Sequence, residues 1–557
     1  MNKLLARNFG IGALLLVPLA HNSLKPPPLY AQTPSSPQAA NVQSQWNPQS
    51  IPSCTSVDTH HPLVTSADLH AFPLKHPCWK AQILHYLKQL VQFRTVRINE
   101  SPNEHGGFLK MKQFLMDWAN HFNLVFTSYQ DDEVWEISTS SGPRDIAYIT
   151  HADVVPATNS MTTPFQLVRK SDRWCARGSE DNKGPIAVAM TLLPILKTTA
   201  AHYKKNISLL IGTGEETNWK GMETFAEKTP RIPFPISLDS SFPIVNGEFG
   251  YVSWYLEFGQ TGLTLPKTSP FNLDFAGAGQ TLNQIPPDGI IRIGIDAPLS
   301  LEKANEMVRD HIEKISKTFP ADAFEVSLES NSLERWLMVR VKGRAAHAST
   351  PEEGSNPIWF LASLVTSLGV NPSPTLDALT FIDKFLTNDH YGAKLGISTT
   401  HPLMGKLVIA PTILKHQEKT ILVGINIRRP IGESSENFKD KLVSVKHNLQ
   451  DNFGWQLKMV REPYVGEATF TSPDSPLPRI LLKAYRKVSN DQINKAKSVR
   501  GGTYAKLFPG AINFGPSLPE DQYTGHTQNE CIRDKQIATL FEGLLLGSCA
   551  LFNETRE

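Results

Sequence analysis

The feature that most constrains this chain is a series of short apolar runs, alternating with helix-like segments, that end in an acid or a histidine. Ile146–Thr150 reads as a strand and is followed at once by His151 and Asp153. Pro185–Leu196 reads as an apolar helix with proline near its first turn, and Asp181 lies just ahead of it. Ile207–Ile211 reads as a strand, and Glu215 and Glu216 follow it after Gly212-Thr213-Gly214. Met222–Glu227 reads as a short helix, and Ile236–Leu238 as a strand that ends on Asp239. Apolar strands alternating with helices predict a mostly parallel sheet covered on both faces. Ligands of such sheets bind beyond the carboxyl ends of the strands. Here those ends carry six imidazole and carboxylate side chains.

Taken singly, each of these residues is ordinary. A histidine after a strand is usually a turn residue, an aspartate before a helix is usually an N-cap, and adjacent glutamates are usually surface charge. Gathered on one sheet edge, the carboxylates would repel and raise one another's pKa unless a cation neutralised them. Imidazole and carboxylate donors without cysteine suit zinc, with manganese or cobalt as alternatives. The set is too large for one tetrahedral zinc with an open position. Two divalent metals about 3.5–4 Å apart, sharing a carboxylate, fit better.

The rest of the chain frames this site. A length of 557 residues predicts two to four domains. Lys+Arg 55 against Asp+Glu 53, with no dense basic run, argues against a nucleic-acid partner. Residues 1–31 read as a secretory signal: a charged start, an apolar stretch Phe9–Ala20, and a small residue at Ala31. An uncleaved anchor is the alternative reading, and no later run is long enough for a membrane span. The expected location is periplasmic or secreted. Residues 32–75, rich in proline, glutamine and serine, read as a linker. The catalytic domain is expected in two parts, 76–251 and 464–557, interrupted by 252–463. That insert mixes strands with long helices and predicts an α+β lid of one or two ferredoxin-like units; 370–418 is poorly patterned. Five cysteines are too few for a disulfide scaffold. Cys54 and Cys78 could pair or stay free, and Cys175 and Cys531 read as packing residues.

His151-Ala-Asp153-Val-Val-Pro156, Arg177-Gly-Ser-Glu-Asp181-Asn-Lys-Gly-Pro185, Gly214-Glu215-Glu216, Asp239-Ser-Ser-Phe-Pro243 and Gly343-Arg-Ala-Ala-His347 resemble the motifs of the co-catalytic zinc peptidases. That family includes aminoacylase, carboxypeptidase G and succinyl-diaminopimelate desuccinylase. Gly501-Gly-Thr-Tyr-Ala505 and His526-Thr-Gln-Asn529-Glu530 resemble its dipeptidase V-like branch, related to Xaa-His dipeptidases and carnosinases. The resemblance implies a zinc-exopeptidase-like α/β fold and a site of two metals. His151 and Asp239 would hold one ion, Glu216 and His526 the other, and Asp181 would bridge them across a cis peptide to Asn182. Glu215 would be the general base and Asp153 would orient His151. His347 would stabilise the oxyanion from the lid. Arg428 would grip the substrate carboxylate, Asn283 would reach the site from the lid, and Gly501 and Gly502 would let backbone approach the substrate.

The sequence departs from the family at Thr150, where glycine is common, at Asn182, where a second aspartate is frequent, and at Lys506, where arginine is usual. Glu248-Phe249-Gly250 stands where Glu-Lys-Gly is usual. The expected activity is hydrolysis of dipeptides or short peptides. Removal of an acyl group from N-acyl amino acids is the alternative, and a non-catalytic scaffold the third reading. The long lid predicts a monomer whose own His347 completes the site.

Overall fold

A computed structural model describes residues 63, 72, 76, 78–97, 102, 105–158, 160–260 and 267–554. The expected signal segment, and most of the expected linker, lie outside the described residues. Two nine-stranded sheets organise the rest. The first runs, in spatial order, Val125–Tyr129, Val134–Ser138, Ile207–Gly212, Ile146–His151, Phe234–Ser237, Ile512–Asn513, Val245–Glu248 and Thr469–Phe470, with Lys497–Val499 also on Val245–Glu248. Its centre is parallel: Ile146–His151 pairs with both Ile207–Gly212 and Phe234–Ser237, and Ile512–Asn513 continues from Phe234–Ser237. Val134–Ser138 and Val125–Tyr129 extend one edge antiparallel.

Strand alternation divides the apolar side chains between two layers. Ile146 and Tyr148 join the larger core with helices Trp79–Leu90, Lys183–His202 and Asp534–Leu551. Ala147 and Ile149 face the other way, against Met222, Phe225, Tyr504 and Phe508. A one-residue slip would exchange these faces, so the register of the central strands is fixed. Lys183–His202 is the one described helix long and apolar enough to cross a membrane, and it is largely buried as the core helix of this layer.

The strand Gly250–Gly259 leads into the lid sheet, and Gln456–Met459 and Tyr464–Val465 lead out of it. The second sheet is antiparallel, ordered Glu325–Asn331, Trp336–Lys342, Asp288–Ile295, Phe271–Ala278, Val408–His416, Thr420–Arg429, Gly250–Gly259 and Gln456–Met459, with Tyr464–Val465 also on Gly250–Gly259. Gly250–Gly259, helix Pro374–Phe385, Val408–His416, Thr420–Arg429, helix Ser435–Phe453 and Gln456–Met459 form a βαββαβ unit with its first strand between its third and fourth, a ferredoxin-like order. Asp288–Ile295, helix Leu301–Ser316, Glu325–Asn331, Trp336–Lys342 and helix Pro357–Leu368 repeat the scheme, with Phe271–Ala278 at the fourth position. The second unit is inserted into the first, and they share one sheet through Gly277↔Lys415 and Ala278↔Leu414. The unpatterned stretch 370–418 holds a helix and a strand of the enclosing unit. Its strand is buried on both faces at the start, so period-two alternation is hidden.

Cys175 and Cys531 are corrected from packing residues to a disulfide. Arg173–Cys175 and Cys531–Arg533 pair antiparallel with these two residues directly opposite, a juxtaposition across 356 residues of sequence. Cys78 is also disulfide-bonded, so its reading as a free thiol is set aside; Cys54 lies outside the described residues. Cys549 is free and buried.

At Gly212, the last residue of its strand, a Cβ would sit 2.3 Å from the Tyr504 ring. Tyr504 is itself 2% exposed and has no room to retreat. Gly212→Ala is therefore expected to destabilise the fold by about 1–3 kcal/mol through overpacking. Denaturant unfolding measures this, and an unchanged midpoint would show that Tyr504 yields.

Candidate metal centre

Three adjacent parallel strands end at the same edge and carry His151, the Glu215–Glu216 turn and Asp239 to one point. Asp181 arrives from the turn before helix Lys183–His202, where the positive end of the helix dipole favours a carboxylate. His526 comes from the far end of the chain with a left-handed backbone, φ 64°. The five proposed ligands converge. His151 Nε2 lies 2.8 Å from Asp181 Oδ1 and 3.6 Å from Asp239 Oδ1. His526 Nε2 lies 3.1 Å from Asp181 Oδ2 and 2.7 Å from Glu216 Oε1. Asp181 thus presents one oxygen to each histidine, as a bridging carboxylate would. Two sets, His151–Glu215–Asp239 and His151–Asp181–Glu216, each bring donor atoms within 4.8 Å of one another.

The electrostatics of this cluster are those of a cation site. Burial pushes Glu215 well up from the usual carboxylate range, and Asp239, Glu216 and Asp181 add to the rise. Burial likewise raises Asp239 to about 7, although His151 opposes the shift. Burial works against the charged imidazoles, yet the neighbouring carboxylates hold His151 well above its ordinary value and push His526 up to about 11. Protons thus offset only part of the crowded negative charge. Divalent ions would do so fully, and the donor set of carboxylate and imidazole suits them.

A scaffold of buried hydrogen bonds fixes these ligands. Asp153, fully buried, accepts from the backbone N–H of Glu215 and of Glu216 at 3.1 and 2.9 Å; His151 Nδ1 lies 2.9 Å from its backbone oxygen and 3.4 Å from its carboxylate. One aspartate therefore orients both a ligand ring and the turn that carries the proposed base. The peptide Asp181–Asn182 is cis. Asn182 donates from Nδ2 to Leu238 O and to Asp239 Oδ1 at 2.8 and 2.9 Å. An aspartate there would have no proton to donate and would repel Asp239.

Other supports carried no signal that singled them out in the sequence. Glu530 Oε1 accepts from the backbone N–H of Glu180 and Asp181, while Arg177 Nη1 donates to its other oxygen at 2.6 Å. Both residues sit inside motifs quoted for the family, so their motif membership was the available clue. Arg97 grips Glu133 with two nitrogens and donates to Thr213 O, bracing the strand end before Glu215. Tyr523 donates to Asp181 Oδ2 at 2.5 Å.

The lid faces this centre with its own groups. His347 and Ala346 pair with Gln284 and Ile285. His347 Nδ1 accepts from Ser349, 3.2 Å from its N–H and 2.6 Å from its Oγ, which leaves the proton on Nε2. Loss of surrounding water, then the charges of Arg428 and His526, push His347 down to about 4, so it is neutral at ordinary pH. Arg428 is 7% exposed, and burial pushes it down to about 10. Its Nε donates to Asn426 Oδ1, its Cζ stacks 4.7 Å over Tyr251, and its terminal nitrogens bond to no other described protein group. Arg429 points the opposite way, into Glu433 O, Ser435 and Glu467, as strand alternation requires. Asn283, Arg428 and Gly502 line one cleft of about 520 Å³ with Trp219, Tyr251 and Tyr464. No protein atom lies within 4 Å of where a Cβ on Gly501 would be, so the backbone there faces open space.

A sequence profile described as peptidase family M20/M25/M40 matches residues 147–545, which span both parts of the sheet and the lid. The chain belongs to that family. It is a metal-dependent peptidase of the M20 kind. A Staphylococcus epidermidis protein provisionally named a dipeptidase is 26% identical over 478 residues, covering 82% of this chain and 96% of its own length. A Staphylococcus aureus USA300 protein, also provisionally named a dipeptidase, is 27% identical over 478 residues, covering 82% of this chain and 94% of its own. Among solved structures, human carnosine dipeptidase 1 aligns at TM-score 0.49 and 14% identity, over 86% of this chain and 98% of that one. Aminoacylhistidine dipeptidase from Vibrio alginolyticus aligns at TM-score 0.49 and 13% identity, over 85% and 96%.

Asn182→Asp replaces a donor to Asp239 with a like charge. It is expected to weaken metal retention about 10- to 100-fold, the usual range for loss of a partner behind a ligand. Chelator competition on purified M20 protein measures it, and parental affinity in the variant would remove Asn182 from the metal support.

Proposed function

We propose that this peptidase cleaves dipeptides and very short peptides, gripping the substrate's terminal carboxylate on Arg428 while the scissile amide lies over two divalent ions. Zinc is the first choice of ion, with manganese or cobalt as alternatives. The reading is carried by the buried, outward-reaching guanidinium of Arg428, which has spare fork donors and no carboxylate partner among the described residues. A planar carboxylate is the group such a fork binds best. The cleft is small, and aromatic walls from Trp219, Tyr251 and Tyr464 suit a substrate of two or three residues. An N-acyl amino acid would offer Arg428 the same carboxylate, and the dipeptidase names of the relatives favour the peptide.

His151, Asp239, Asp181, Glu216 and His526 would hold the ions, which supply polarisation of the carbonyl and a lowered pKa for the attacking water. Glu215, braced by Asp153 through its backbone, accepts the proton of that water and returns it to the leaving amine. Neutral His347 donates Nε2–H to the developing oxyanion. Asn283 stands beside it, accepting at its backbone oxygen from Ala348 N. The charge of His526 reaches His347 of the same chain, which supports a site completed in cis and hence a monomer.

Export is part of the same proposal. A charged start followed by an apolar stretch supports it, and so does a disulfide between Cys175 and Cys531, since disulfides persist in oxidising compartments. Fractionation with sequencing of the mature N-terminus is expected to find the protein outside the cytoplasm, beginning near residue 32. Cytoplasmic protein starting at Met1 would contradict it.

Arg428→Ala is expected to lower kcat/KM for dipeptides by about 1.5–3 kcal/mol, roughly 10- to 100-fold. A dipeptide amide, lacking the carboxylate, should be cleaved equally slowly by parent and variant. If the parent cleaves acid and amide alike, Arg428 does not grip a carboxylate.

A further inference from the structure

We propose that Tyr523 is a positioning residue for the metal on the Glu216–His526 side, its phenol holding the bridging carboxylate of Asp181 at the oxygen that this ion would share. The proposal rests on the two-metal reading above and adds a residue to it. Asp181 Oδ1 faces His151, whereas Oδ2 faces His526 at 3.1 Å and accepts from Tyr523 Oη at 2.5 Å. Tyr523 thus supplies the hydroxyl donor to Asp181 among the described residues, and it does so on one oxygen only. Any effect of that phenol is therefore asymmetric between the two metal positions.

The pose of the ring is built into the loop. Tyr523 is 47% exposed, yet its oxygen points inward to the ligands, and the ring stands edge-on to His526 at 6.2 Å. A Cβ on Gly525 would fall 2.1 Å from Oη and 2.2 Å from Cζ, so only glycine leaves room for the ring there. The next residue, Thr524, ties the loop to Glu180, the neighbour of Asp181, through its backbone N–H and its Oγ1 at 3.0 and 2.6 Å. Thr524 Oγ1 also accepts from Cys531 N, and Cys531 is bonded to Cys175. On the other side of Tyr523, Asp521 pairs with Arg533 at 2.5 Å. The phenol is held from both directions, and the carboxylate it meets is fixed through its own backbone N–H to Glu530.

A carboxylate shared by two cations can rotate or shift so that one oxygen leaves its ion. A donor on Oδ2 opposes that motion and sets the direction of the remaining lone pair toward the second ion. Loss of such outer support costs about 10- to 100-fold in metal affinity.

The test uses full-length protein, stripped with chelator and titrated with zinc in competition with a chromophoric chelator. The parent is expected to take up two equivalents. Tyr523→Phe keeps the ring and should retain one equivalent at parental affinity while the other weakens about 10- to 100-fold. Gly525→Ala keeps the hydroxyl but displaces the ring, and should give the same selective loss. For dipeptide hydrolysis, restoring zinc to high concentration should recover kcat in Tyr523→Phe, which damage to the fold would not allow. Two equivalents at parental affinity in Tyr523→Phe overturn the proposal, and so does equal weakening of both. A parent that takes up fewer than two equivalents overturns the two-metal reading itself, a result visible before any variant is made.

Discussion

Like-charge crowding at the end of three parallel strands is the constraint on which the rest of this structure depends. Asp181, Glu215, Glu216 and Asp239 approach one another at a buried edge, and among the described residues the imidazoles of His151 and His526 stand between them. Burial alone would drive such carboxylates to bind protons. The chain instead spends much of its buried hydrogen bonding on keeping them in place: Asp153 under the Glu215–Glu216 turn, Asn182 on Asp239, Glu530 behind Asp181, Arg177 behind Glu530. A collection of anions held this firmly is a site prepared for cations, and the family assignment agrees with it.

Much of this was legible in the sequence because parallel strands are buried on both faces and read as continuous apolar runs. Ile146–Thr150 and Ile207–Ile211 are of that type, and the residues just after them fall at the carboxyl edge by topology alone. The ferredoxin-like character of the lid was legible from Leu301–Phe319 and Glu436–Phe453, whose helical spacing is plain. Two things were not. Strand Val408–His416 is buried throughout its first five residues, so it carries no alternation by which to find it. The pairs Cys175–Cys531 and Arg177–Glu530 join positions more than 350 residues apart, so no local pattern pairs them, although Arg177 and Glu530 lie in the quoted motifs. Tyr523 is the sharpest case: an exposed aromatic in a loop has no pattern, and only the coordinates show its hydroxyl on Asp181.

The departures at Asn182 and Lys506 take physical meaning from the same geometry. Asn182 is a donor where the local need is for a donor, between Leu238 O and Asp239. Lys506, in a buried setting that pushes it down to about 8, donates to the carbonyl of Phe249, in the segment where the family usually has lysine. Lys506 lines the same cleft as Arg428, whose charge disfavours that of the ammonium. The cleft therefore favours an anionic group by more than one residue.

The lid ties together His347 and Arg428, the two residues proposed as oxyanion donor and carboxylate clamp. His347 belongs to the inserted ferredoxin-like unit and Arg428 to the enclosing one, so two separate units would be free to move apart. They are instead joined edge to edge through Gly277–Lys415 and Ala278–Leu414 into one continuous sheet. Asn283 sits at that joint: its backbone oxygen accepts from Ala348, next to His347, and its side-chain oxygen lies 3.4 Å from Asn426 Nδ2, whose own Oδ1 accepts from Arg428. This chain of contacts fixes the spacing between the group that meets the oxyanion and the group that meets the carboxylate. In a peptide those two positions are separated by a single residue, so a lid with a rigid spacing selects the bond next to the carboxyl end. Under the proposed roles, selectivity for a terminal bond would follow from the doubling of the lid itself, and the metal centre, common to the family, need not provide it.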